Sequence, residues 1–418
     1  MLSSEKNFAL PETYREILEG AHNRAKLKNW TPSPHRFTCL PDYIIVIPAQ
    51  NEEKRIINCL DSCAQSMNTA RAAGRILLIV NNTNDLTSTL ARKWAQNNPF
   101  ALDILDITLP KKIASAGYAR ALGFDIAHTL LNPRGVILTT DADSLVDKGW
   151  IGGHLHAATL GAALTCGHVI VNNHERAYLP DWLLEKAYLE QEYLNLSRKL
   201  QADLDPDPFN PWPHHGDESG ANMSIVAFAF DHIGGAPRVT ASEDRELVKC
   251  IIDKDMPVHY CNKSRVTTSM RLHGRARGGM AETMKHRLNT KDYLCDERIE
   301  RADMIAYRIT TRQALRTAYK NETECLDLLK KLGLNSAQRR QAMHFYTFGA
   351  MWHYVEKYSP YLRQHRLCFS EMIAQLPRLR QLSETTASLS DKPHLHMNLK
   401  DSKSRHSLQP SPWHYAMA

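Results

Sequence analysis

The chain contains no run of about eighteen uncharged apolar residues, so no helix that spans a bilayer is predicted. Its opening segment, MLSSEKNFALPETYREILEG, lacks the basic start and apolar centre of a secretory signal. Paired cysteine motifs are missing too. The nine cysteines are odd in number, and Cys59 and Cys63, one helical turn apart, have no second pair to complete a zinc site, so they read as reduced core thiols. Together these absences predict a soluble protein of the cytoplasm, with contact at the periphery of a membrane left open. Charge of one sign is also scarce: 52 Lys and Arg against 45 Asp and Glu leave a net +7, which suits an anionic ligand or an acidic membrane surface without demanding nucleic acid. Aromatic residues, at 8%, do not interleave with a basic stripe, so no nucleic-acid partner is expected.

What is present is a chain of 418 residues, 43% hydrophobic, able to bury a core as one large domain with an appendage or as two domains. Near-continuous apolar runs at 43–48, 75–80, 102–108, 135–140 and 163–171 read as strands covered on both faces. Helical spacing fills 52–66, 86–96 and 115–130, as in Ile56, Ile57, Leu60 and Ala64. Repeated strand–helix units predict an α/β domain with a mainly parallel sheet. The expected organisation is a helical extension over 1–40, the α/β domain over 41–280, a helical region over 281–382 and a disordered Ser-, His- and Lys-rich tail over 383–418. Within these bounds, 181–200 reads as an amphipathic helix, and 297–332, 336–358 and roughly 360–381 as helices of a packed appendage. The chain carries no internal repeat.

In open α/β sheets ligands bind beyond the carboxyl ends of the strands. Polar segments collect there: PAQNEE (48–53), NNTND (81–85) and DADS (141–144) predict one cleft. Asp141 and Asp143, spaced i and i+2, would face one object on extended backbone. Like charges brought together need a cation or donors to offset them, and carboxylate oxygens suit magnesium or manganese, so a divalent metal holding phosphates is the candidate. The alternative is a polar turn whose aspartates bond backbone amides and cap the next helix.

The ordered set IPAQNEE, NNTNDLT, GYARALGFDIA, TTDADS, GANMSI, ASEDREL and TSMRLHGRARGG resembles the family-two glycosyltransferases with their GT-A fold, over roughly residues 43–280. That resemblance implies an α/β, Rossmann-like nucleotide-binding domain that moves a sugar from a nucleotide-diphosphate sugar to an acceptor hydroxyl with Mn2+ or Mg2+ as cofactor. It implies that Pro48, Ala49, Asn51 and Glu52 cradle the nucleotide, and that Asn82 stands with Asn81 where the family usually has an aspartate for the base. Arg120 would reach the nucleotide. Asp141, Ala142 and Asp143 match the aspartate–any–aspartate motif at the ribose and the metal. Arg271, Arg275 and Arg277, in a glycine-rich loop, would meet the diphosphate, or form a solvated basic loop; His273 stays uncommitted.

For the chemistry, Asp244 matches the family's glutamate–aspartate motif as general base of an inverting transfer, with Glu243 beside it on the acceptor side. A capping box between Thr240 and Glu243 is the structural alternative. Gly220, Ala221 and Asn222 match the acceptor-side turn, or pack a loop closely. Trp212, His214 and His215, in a proline-rich loop, would stack on or hydrogen-bond an acceptor, or only cover the surface. The acceptor itself is not legible. Two other classes are carried forward: a sugar nucleotidyltransferase, against which stands the lack of glycine in PAQNEE, and a non-catalytic nucleotide-sugar-binding module.

Overall fold

The computed structural model describes residues 10–20, 24–35, 39–239, 241–269 and 280–390. Residues 271–277, with Arg271, Arg275, Arg277 and His273, and Thr240 lie outside them. The chain divides into two compact units, one of residues 1–179 and 214–286, the other of residues 180–213 and 287–418.

The first unit opens with helix α1 (Glu12–Glu19) and strand β1 (Lys26–Thr31), then β2 (Tyr43–Ala49), α2 (Ile56–Thr69), β3 (Gly74–Asn81), α3 (Thr87–Asn97), β4 (Leu102–Thr108), α4 (Ala116–Leu130) and β5 (Val136–Thr139). After β6 (Leu145–Val146), α5 (Trp150–Thr159) and β7 (Leu164–Val171) come the short α6 (Asn173–Arg176) and α7 (Asp181–Leu204), the latter in the second unit. The chain re-enters the first unit for β8 (Met223–Val226), α8 (Ala227–His232), α9 (Glu243–Ile252) and β9 (Val258–Thr268).

The nine strands form one sheet in the order β1-β4-β3-β2-β5-β8-β7-β9-β6. β4, β3, β2 and β5 are parallel neighbours, the block that the apolar runs predict. β8 is antiparallel to β5 and to β7, so β7 and its parallel partner β9 run the same way as that block. Every residue of β2 is buried, as strands covered on both faces require. In α2 the buried set Ile56, Cys59, Leu60, Cys63, Ala64 and Met67 follows helical spacing and turns one face to the core. The α/β architecture expected of the sequence is the one observed.

Three boundaries differ. The segment 1–40 is not helical throughout: β1 pairs antiparallel with β4, closing that edge of the sheet, and four of its six residues are exposed, so it carries no apolar run to announce a strand. α7 belongs to the helical unit rather than to the α/β domain. Its Tyr193, Leu194 and Leu200 join Tyr293, Ile299, Ile305, Ile309, Met372 and Leu376 in one core, so the stripe read as amphipathic is covered by helices distant in sequence. Residues 383–390, expected in a disordered tail, belong to the last helix, which runs on to Ser390; residues 391–418 lie outside the described ones.

In the second unit, α10 (Met280–Asn289), which starts in the first, is followed by α11 (Ala302–Ala318), α12 (Glu322–Lys331), α13 (Ser336–Met343), α14 (Phe348–Tyr358) and α15 (Phe369–Ser390). The helical run 297–332 is broken at Asn321, whose side chain accepts from the Glu324 amide and so starts α12. Asn335 likewise starts α13 with a capping box to Gln338. Buried charge is paired: Arg308 donates to Glu300 at 2.7 and 2.9 Å and to Glu356 at 3.1 Å. The aromatics of 343–358 pack inward in part, with Phe348 and Trp352 in a second core. Among the described residues no helix is long and apolar enough to cross a membrane.

Candidate functional site

The polar strand ends meet as the sequence predicts. Those of β2 and β3 are laced to each other. Asn51 N–H donates to Thr83 Oγ1 at 3.1 Å, Asn84 N–H to Asn51 Oδ1 at 2.9 Å, and Glu52 N–H to Thr87 Oγ1 at 2.7 Å. Asn51 and Asn82 both sit in the left-handed region, at φ 52° and 50°, where asparagine is among the better-tolerated residues. Pro48, Ala49 and Glu52 are buried in this rim. Asn82, assigned to the nucleotide, spends its amide elsewhere: Nδ2 donates to Leu109 O and Oδ1 accepts from Leu109 N–H, both at 2.9 Å. That pairing fixes the β4 exit.

Beyond β5 the expectation of extended backbone fails. Ser144 N–H donates to Asp141 O at 3.0 Å, so residues 141–144 form a turn, and Asp141 and Asp143 occupy its first and third positions. They still act on one place. The thiol of Cys59, which also donates to Asp141 O at 3.4 Å, is pushed well up by its bond to Cys63 and by burial, with the fields of Cys63, Asp143 and Asp141 adding to the shift. Ala142 between them is buried.

Arg120 organises the rest. It enters from α4, whose start is capped by Ser115 accepting from the Tyr118 amide, and it is only 6% exposed. Its Nε donates to Thr139 Oγ1 at 3.1 Å, Nη2 to Asp141 Oδ1 at 2.5 Å, and Nη1 to Glu243 Oε1. Burial alone would lower its pKa; Asp141, Glu243 and Asp244 overcome that and raise it. The guanidinium thus ties the end of β5 to the start of α9. Its donors are thereby occupied by protein groups.

Gly117 and Gly220 make the close approach feasible. A Cβ on Gly220 would stand 2.4 Å from Arg120 Cζ, and one on Gly117 2.6 Å from Glu243 Cδ. Asp244 is half-buried beside them; its Oδ2 accepts from Gly220 N–H at 3.1 Å and its Oδ1 from Arg245 N–H at 2.9 Å. α9 begins at Glu243 after Ser242, so Glu243 and Asp244 fill its first turn, where the helix dipole favours negative charge. Glu243 is therefore the first helical residue, not the third that a capping box with residue 240 would need. Arg120, Gly117, Gly220, Glu243, Asp244 and Leu247 bound a cavity of about 20 Å³, room for roughly one water, so a ligand must lie outside it.

The acceptor-side turn divides. Gly220 and the buried Ala221 lie against this group, but Asn222 faces away from it into the core. Its Oδ1 accepts from Trp150 Nε1 at 2.7 Å and lies 2.9 Å from His154 Nε2, while its Nδ2 donates to His168 O at 3.0 Å and Ser264 O at 3.1 Å. Every hydrogen-bonding site of the amide is used. With Ser224 Oγ at its Nδ1, His154 is enclosed, and burial drops its pKa to about 4, so it is neutral near pH 7.

Trp212 falls in the second unit, whereas His214 and His215 lie in the first. His214 stacks on Tyr260 with centroids 5.0 Å apart, and Tyr260 Oη donates to Glu218 at 2.7 Å. Sequence reasoning missed Thr139 as the third partner of Arg120, and it missed His168 and Asp217; nothing in periodicity marks them.

A divalent cation fits the donor set. Asp141, Glu243 and Asp244 are three carboxylates around one guanidinium, and the field of Asp143 joins that of Asp141 at Cys59. Such an excess of hard oxygen ligands is stabilised by a cation.

Residues 44–210 match the family model described as Glycosyl transferase family 2. No curated protein matches the chain. Among solved structures, S. aureus TarS 1-349 is 13% identical, over 76% of this chain and 90% of that one, with a TM-score of 0.38. Mannosyltransferase PcManGT from Pyrobaculum calidifontis, in complex with GDP-Man and Mn2+, is 12% identical, over 91% and 93%, with a TM-score of 0.40. Glucosyl-3-phosphoglycerate synthase from Mycobacterium tuberculosis, in complex with Mn2+, UDP and phosphoglyceric acid, is 13% identical, over 61% and 84%, with a TM-score of 0.35. The motif order read from the sequence and the family match agree over residues 44–210, where the chain is similar to the glycosyl transferase family 2.

Proposed function

We propose that the protein transfers a sugar from a nucleoside-diphosphate sugar to an acceptor hydroxyl by a metal-dependent, inverting displacement, with Asp244 as general base. The observation that carries this reading is the sharing of Arg120 between Asp141, at the end of β5, and Glu243, next to Asp244 at the start of α9. One buried cation thereby sets the distance between the residues of the leaving group and those of the acceptor.

Asp141 and Asp143 would hold a divalent ion, whose Lewis acidity stabilises the negative charge of the departing diphosphate. Asn51 and Glu52 hold the rim that receives the nucleotide. The acceptor hydroxyl approaches from the opposite face, and Asp244 takes its proton as the new bond forms. The Gly220 amide, bonded to Asp244, keeps the carboxylate oriented. Gly220 also lets the turn backbone lie directly against Arg120, where a Cβ would collide with the guanidinium.

Arg271, Arg275 and Arg277 remain candidates for closing over the diphosphate. A cytoplasmic location with contact at a membrane surface also stays part of the proposal. The test is Asp244→Asn. It should lower turnover by about 10²–10⁴-fold while leaving donor affinity within about twofold, because a general base acts in the transition state rather than in donor binding. Turnover within a few-fold of wild type would remove Asp244 from this role.

A further inference from the structure

Beside the middle of β7 two ring nitrogens converge on one carboxylate oxygen. His168 Nδ1 lies 2.8 Å from Asp217 Oδ2, and His215 Nδ1 lies 3.3 Å from the same atom. One ligand atom from each of the three residues lies within 4.8 Å of the others. The carboxylate is held in place by Val169 N–H at 3.1 Å. Asp217 N–H donates to His215 Nδ1 at 2.9 Å, so that nitrogen presents a lone pair, not a proton, towards the aspartate. The other ring nitrogen of His215, Nε2, is buried with no hydrogen-bond partner, on a side chain only 5% exposed.

We propose that His168, His215 and Asp217 form a zinc site separate from the aspartates of the β5 turn. Zinc takes imidazole nitrogens at about 2.0–2.1 Å and carboxylate oxygens at about 2.0–2.2 Å in tetrahedral geometry, which sets ligand atoms about 3.4 Å apart. The two nitrogen–oxygen separations, 2.8 and 3.3 Å, are within roughly half an ångström of that requirement. In the metal-free arrangement a proton between His168 and Asp217 takes the cation's place, and the Asp217 amide takes the lone pair of His215; binding displaces both. Two histidines and one carboxylate select zinc over the magnesium or manganese that an all-carboxylate site prefers. Three protein ligands leave the fourth position to water or a ligand atom, on the side walled by His214, Tyr260 and Glu218.

The site has a consequence for the neighbouring turn. His215 and Asp217 lie on the segment that leads directly into Gly220, and His168 is on the sheet. Zinc would pin that segment to β7, next to the backbone amide that orients Asp244. The inference needs only these three residues and stands whether or not the chain transfers sugars.

Zinc is titrated calorimetrically into metal-stripped full-length protein carrying Asp141→Asn and Asp143→Asn, and Co2+ is followed by its visible absorption. One equivalent should bind in this double variant, with the absorption of a tetrahedral site, and X-ray absorption of the zinc form should show two imidazoles at about 2.0–2.1 Å. Adding His168→Gln, or separately Asp217→Asn, should weaken zinc by at least about 100-fold. His168 is part-exposed, so its variant tests the ligand set with the least disturbance of the core. Absence of a bound equivalent in the double variant, or unchanged zinc affinity after either added substitution, would overturn the site.

Discussion

Two buried polar groups of the first unit, one centred on Asn222 and one on Arg120, follow opposite rules. Around Asn222 every donor has an acceptor: Trp150, His154, His168 and Ser264 use all four hydrogen-bonding sites of one amide. Around Arg120, next to Gly220, three carboxylates, Asp141, Glu243 and Asp244, act on a single guanidinium. The first arrangement is complete as it stands and holds strands β7, β8 and β9 to α5. The second sets more carboxylates than cations side by side, an excess that a further cation would offset, as the proposed function requires. Polarity alone therefore does not mark a site in this sheet; incompleteness does.

The comparison can be broken at either end. The largest effect is expected from Asn222→Ala, which strips partners from two buried ring donors and two buried carbonyls. Unfolding in urea should show a loss of about 3–5 kcal/mol. A change under about 1 kcal/mol would mean that the hub is not structural. Next comes acid. His154 has its pKa lowered by burial to about 4 in the folded protein, from the ordinary 6.5 of a free imidazole. As pH falls below 6.5 the unfolded chain takes up this proton first, so stability is fully present above that value and is lost towards pH 4, by up to roughly 3 kcal/mol. His154→Gln, neutral throughout, should flatten that part of the pH profile of stability. An unchanged slope would assign the acid sensitivity to other groups.

Much of this was legible in the sequence, and the failures have physical causes. β2 through β5 and β7 are buried on both faces, so hydrophobic pattern alone finds them. β1 hides because an exposed edge strand has no pattern to show, and β9 because its residues alternate irregularly between core and surface, with its pairing shifted by a bulge opposite Gly167 and His168. The partners Arg120, Asp141, Glu243 and Asp244 are 124 positions apart at most, and only the order of motifs, not any local period, brings them together. Asn82 and Asn222 were assigned to ligands because an asparagine that serves the backbone and one that serves a substrate look the same in a sequence. The turn at Asp141 shows the same limit: i, i+2 spacing guarantees a shared face only where the backbone is extended.

The central claim is that the unbalanced carboxylates await a metal-bound nucleoside diphosphate. It is tested most directly by calorimetric titration of UDP-, GDP- and dTDP-sugars into the wild-type chain and Asp143→Asn, with and without Mn2+. The account expects one nucleotide sugar to bind wild type in a Mn2+-dependent way and to lose at least about tenfold in affinity in the variant, since a carboxylate ligand to the ion is gone. Binding that ignores both Mn2+ and the substitution, or no binding of any nucleotide sugar with the metal present, would contradict it.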